Sequence, residues 1–105
     1  MHPAKPAAVA LPRRLKANQT ALFRIPVGPL LAAAEVRLEV EGKIGEVRVN
    51  GEVCSASLTS FPVSKPIPTH PFAAWRVPQP ISGSIVVNAV AGTECTVHWV
   101  EIAGR

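Results

Sequence analysis

The sequence predicts an all-β protein, an antiparallel β-sandwich or jelly roll carrying an extended N-terminal arm. Three observations predict it. Val36, Leu38 and Val40 alternate with Arg37, Glu39 and Glu41, and Val47 and Val49 alternate with Glu46 and Arg48, the period of strands with one buried and one wet face. Asn50-Gly51 then places two residues that tolerate positive φ at a hairpin tip. Residues 84–90, SIVVNAV, are rich in β-branched side chains, which suit a pleated and packed surface. With 105 residues the chain makes one domain, large enough to bury about two-thirds of its unfolded surface. The arm covers residues 1–19 and the sandwich residues 20–105.

Residues 1–19 hold Pro3, Pro6 and Pro12 among alanines and basic residues, with no sustained period. Each proline removes a backbone donor and disfavours helix at the residue before it, so this segment is extended and orders against a neighbouring subunit, a nucleic acid or a groove on its own body. Residues 20–27 read as the first strand, with Leu22 and Phe23 too close together to define one buried face. Pro26 cannot donate to a ladder, which puts that strand at an edge or ends it there. Gly28-Pro29 reads as a turn. Residues 30–34 either make one helical turn opened by Pro29 or lead straight into the next strand.

Beyond the hairpin, residues 56–59 are a short strand candidate. Residues 61–80 hold six prolines, which forbid a long central strand and favour a stiff loop laid across the body and anchored by Phe61, Phe72 and Trp75. Within it residues 73–77 can form a short strand. Ser82-Gly83 and residues 91–93 read as turns. The last strand, 95–102, is apolar on both faces, with Cys95, Val97 and Trp99 on one and Val100 and Ile102 on the other. Such a strand is central to a sandwich or turned outward to a partner.

Charge is unevenly placed. Lys5, Arg13, Arg14, Lys16 and Arg24 precede the first acidic residue, Glu35, so residues 1–34 carry +5 and the remainder −1. A near-neutral body with a basic arm suits an acidic partner. Charged residues make up only 17% of the chain, below the usual one-quarter, which fits a surface covered by another protein as well as one covered by Pro, Ser, Thr and Ala. No apolar run is long enough to span a bilayer, and Pro6 and Pro12 fence the AAVAL run to too few residues for a signal peptide. A soluble, unprocessed chain is expected. Asn18-Gln19-Thr20 matches a glycosylation sequon, which matters only in a secreted chain.

Taken together, the segment from AEVRLEVEGKIGEVRVNGE through the Pro-rich link to HPFAAWRVPQPISGSIVVNAV resembles the galactose-binding-like jelly roll, over about 55 residues. Val47, Val49, Asn50 and Gly51 match that family's V-x-V-N-G hairpin. Pro71, Phe72, Arg76 and Val77 match its P-F-x-x-x-V strand with a one-residue offset, and Gly83 opens an apolar strand ending at Val90. The resemblance implies a β-sandwich. It does not imply the family's sugar or calcium binding, because the chain has no Asp and no counterpart of those loops. The pairing of an arm with a compact sandwich also resembles small phage virion proteins, such as capsid decoration or tail accessory subunits.

No residue pattern assembles a catalytic set. His2 lies in the arm, His70 in the Pro-rich loop and His98 in the last strand, and without Asp a Ser-His-acid set would need Glu. The three histidines and the two cysteines, Cys54 and Cys95, lack ligand spacing, so neither a metal nor a cofactor is expected. Their strand context favours two buried thiols over a bridge between neighbouring strands. The expected function is a non-catalytic structural or assembly protein, a virion accessory subunit that binds neighbouring subunits through its β faces and through an arm bearing Lys5, Arg13, Arg14, Lys16 and Arg24. Homo-oligomers or a larger shell are the expected partners. Nucleic acid is the lesser candidate, since no aromatic residue interleaves before Phe23. The alternative is a carbohydrate-binding module whose loop presents Phe61, His70, Phe72, Trp75 and Arg76 to a sugar.

Overall fold

The alternating segments become strands of two sheets, described by the computed structural model over residues 2–6 (as backbone), 11–58 and 70–105. In chain order they are β1 (His2–Pro6), β2 (Arg13–Leu15), β3 (Thr20–Leu31), β4 (Ala34–Glu41), β5 (Ile44–Val49), β6 (Glu52–Val53), β7 (Ser55–Ser57), β8 (Phe72–Arg76), β9 (Ile81–Ala91) and β10 (Cys95–Gly104). The first sheet has the order β1-β10-β4-β8-β7, with β2 also on β10, and the second the order β3-β9-β5-β6. Every pairing is antiparallel. The chain is an all-β sandwich, with no helix among the described residues and so none able to cross a membrane. Residues 30–34 close β3 and open β4 directly.

One core lies between the sheets. The first contributes Leu15, Val36, Leu38, Val40, Trp75, Val97, Val100 and Ile102, and the second Phe23, Ile25, Val47, Val49, Ile85 and Val87. In β3 the inward set is Ala21, Phe23, Ile25 and Val27, while Leu22 stays 47% exposed. Pro26 sits in this edge strand, where its missing N–H leaves no inner ladder bond unmade. The turns expected at Gly28-Pro29 and Ser82-Gly83 are instead one irregularity inside longer strands. Gly28 pairs with Gly83, with φ of 79° and 68°, and the register shifts on both sides of Gly28.

Residues 42–43 carry the chain from the first sheet to the second, so β4 and β5 belong to opposite layers. The hairpin proper is β5 with β6. Asn50 and Gly51 both take positive φ, 49° and 86°, and the Asn50 side chain accepts the Val86 N–H at 2.9 Å.

Two expectations are corrected. In β4 the face expected to be wet is exposed only at Glu41: Arg37 and Glu39, with Glu35 beside them, are as buried as the valines opposite them. In β10 the faces are divided differently from the expectation, which put Trp99 with Cys95 and Val97 and set Val100 and Ile102 opposite them. Val97 pairs with Val40 and Trp99 with Glu39, so His98 is the extra residue of a bulge. The bulge shifts side-chain parity and gathers Cys95, Val97, Val100 and Ile102 on the core face, leaving Trp99 and Glu101 on the other. The N-terminal residues lie along the same strand, β2 pairing with Cys95–Val97 and β1 with Glu101–Gly104, and Leu15 is buried.

Candidate functional site

Three adjacent strands of the first sheet, β10, β4 and β8, end together, and their ends carry the most chemically distinctive group of side chains. Glu41 is the last residue of the central strand. His98 is the bulged residue of one neighbour, and His70 lies two positions before the other. The imidazoles of His70 and His98 stack with centroids 4.0 Å apart and planes 5° from parallel. Both Nε2 atoms meet the same oxygen, Glu41 Oε1, at 3.1 Å from His70 and 2.7 Å from His98. The side chains are partly exposed, so the group is open on one side. The His98 contact, with the nearby charges of His70 and Arg14, holds the Glu41 carboxyl below the ordinary glutamate value, against the opposing effect of its desolvation.

Alongside runs a shallow groove of about 480 Å³ lined by Arg14, Glu41, Gly42, Glu94, Cys95 and Thr96. The convergence of His70 and His98 corrects the expectation that the histidines stay scattered. Residues 41, 70 and 98 are too far apart for any ligand spacing to register. One signal was present: apolar positions 95 and 97 are odd and 100 and 102 even, and such a parity change across a strand marks a bulge between them.

Behind this group, the covered face of the first sheet holds a row of charge. Arg37 Nε lies 2.7 Å from Glu101 Oε1, both side chains fully buried, and Arg37 Nη1 lies 3.7 Å from Glu35 Oε1. The Trp99 indole N–H donates to Glu101 Oε2 at 2.9 Å. The buried pair sits in mid-sheet, where Glu101 and Arg37 are direct cross-strand partners.

The residues expected to bind partners are dispersed. Arg13, Arg14 and Lys16 are exposed at the β2 edge of the first sheet, whereas Arg24 is exposed on the second. Lys5 pairs with Ile102 in β1. Phe61 lies outside the described residues. Trp75 is buried with the core opposite Val36, while Phe72 and Arg76 occupy the other face of β8 opposite Glu39 and Glu35, so the two rings do not share a surface. His70 belongs to the Glu41 group.

Cys54 and Cys95 are free and buried, and burial pushes both thiols up from the ordinary cysteine value. A thiol-reactive disulfide reagent at about pH 8 is therefore expected to titrate neither cysteine in the native protein while it titrates both in denaturant. Rapid native reaction of either would place that thiol at the surface.

The sequence matches no protein-family model and shows no significant match to a curated protein.

Proposed function

We propose that the chain is a non-catalytic assembly subunit of a virion, a decorating or head- or tail-associated protein that packs against copies of itself or a larger shell. In this reading the sandwich is a jelly roll related to galactose-binding-like modules and used as a scaffold without their sugar site. The observation that carries the proposal is the divided edge of the first sheet. One strand, β10, takes two separate short strands from the N-terminal segment, β1 at one end and β2 at the other.

A short edge strand contributes few ladder bonds, and the same segment from a second copy would make the same bonds. Strand exchange at β10 therefore costs little enthalpy and links neighbours. Arg13, Arg14 and Lys16 would flank that junction and favour an acidic partner surface. The outer face of the second sheet offers a second contact, since Leu22, Val86 and Val90 share it with Arg24.

Light scattering on the full chain and on a chain lacking residues 1–10 tests this, at low and high salt. The deletion removes β1 but keeps β2 and the core residue Leu15. The full chain is expected to self-associate, more weakly in high salt, and the shortened chain to remain monomeric with an unchanged circular dichroism spectrum. Monomers in both cases at every salt concentration would refute assembly through the arm.

A further inference from the structure

We propose that Glu41, His70 and His98 bind a divalent transition metal ion of the Zn²⁺ type. This goes beyond the assembly reading and stands independently of it. One ligand atom from each residue lies within 4.8 Å of the other two. The two imidazole nitrogens already converge, because each faces the same carboxylate oxygen, at 3.1 and 2.7 Å. Around a tetrahedral Zn²⁺, with bonds of about 2.0–2.2 Å to nitrogen and oxygen, ligand atoms stand about 3.4 Å apart. Reaching that spacing lengthens the His70 contact by about 0.3 Å and the His98 contact by about 0.7 Å, and the two rings, now 5° from parallel, must tilt out of their stack so that both planes meet at the ion.

The donor set selects the ion. Two imidazoles and one carboxylate suit zinc and its neighbours in the first transition row, whereas magnesium and calcium require oxygen ligands throughout. Cys95, though close in the fold, is buried in the core and is not a fourth ligand. The partial exposure of all three side chains leaves the fourth position to water and gives the ion a way in. Arg14 stands near Glu41 and opposes a cation, but Glu94 lines the same groove and offsets it.

The ligands come from the ends of three neighbouring strands. The metal would thus pin the β10 bulge and the entry to β8 onto β4, closing one end of the first sheet. The site is a clamp, with an open coordination position as a by-product of its location.

Isothermal titration of the chelator-treated full chain with zinc chloride tests the proposal, with magnesium chloride as control. One site of micromolar affinity is expected, together with a melting temperature that rises with zinc concentration. Glu41→Gln, His70→Gln and His98→Gln are each expected to weaken binding by at least about tenfold. Glu41→Gln is nearly isosteric, so it reads the ligand role without disturbing the strand. His2→Gln, at the chain's remaining histidine, is expected to keep the affinity. Absence of binding and of any melting shift at millimolar zinc would overturn the proposal, as would equal binding by the parent and the His70→Gln and His98→Gln variants.

Discussion

Replacing Arg37 by methionine is expected to destabilise the sandwich by about 3–5 kcal/mol, the cost of leaving a buried ion without its partner. Arg37 and Glu101 are both fully buried, and Glu35 stands on the same guanidinium. Removing the guanidinium takes from two carboxylates buried away from water a cation that both of them contact. Against a typical domain stability of about 5–15 kcal/mol, that loss is a large fraction, and it corresponds to a melting temperature lower by about 15–25 °C. The double variant Arg37→Met/Glu101→Gln, which removes both charges of the closest contact, should recover about 1 kcal/mol or more relative to the sum of the two single effects. Chemical denaturation of the four proteins in the cycle measures this. A single variant within about 1 kcal/mol of the parent would mean that water reaches the pair.

Alanine at Gly42 should cost about 2–4 kcal/mol, for two reasons that act together. Gly42 has φ of 104°, outside what an L side chain adopts comfortably, and an added Cβ would stand 2.6 Å from the Cys95 Cβ and 2.7 Å from the Glu94 carbonyl oxygen. Neither neighbour can yield cheaply, since one is backbone and the other roots a buried side chain. The chain changes sheets here, so any displacement passes into the alignment of β4 against β5. Gly51→Ala is the control. Gly51 also has positive φ, 86°, but nothing lies within 4 Å of its added Cβ, so only the backbone term of about 1–2 kcal/mol applies. A denaturation midpoint lowered equally by both substitutions would show that the contact with Cys95 and Glu94 is not made.

The strands were legible in the sequence because alternation is a local property. Val36, Leu38 and Val40 declare a shared face, and Asn50-Gly51 declares the tip that follows. What covers the opposite face is not local, and Arg37 and Glu39 look the same in sequence whether they meet water or protein. Reading them as wet followed from the period and failed for that reason. In β10 the parity change around His98 was available, but one unbroken period assigns Trp99 to the face of Val97 and sets Val100 and Ile102 opposite, the reverse of what the bulge makes of them. Gly28 and Gly83 carried the right conformational signal and the wrong consequence, since positive φ serves a bulge as well as a turn. The Glu41, His70 and His98 group depends on strand order alone, because β10 and β8 flank β4 only through a topology that no spacing encodes. The arm's composition described an extended segment without saying which edge it meets.

The pairing of β1 with β10 has a mechanical consequence. His2 lies opposite Gly104, so the two ends of the described chain sit side by side at one corner of the sheet. Tension applied between them peels β1 away one hydrogen bond at a time, whereas a pull along the strands would shear the whole ladder at once. The corner therefore yields at low force without disturbing the core, and a short linker across it would join the ends into a circular chain with little distortion.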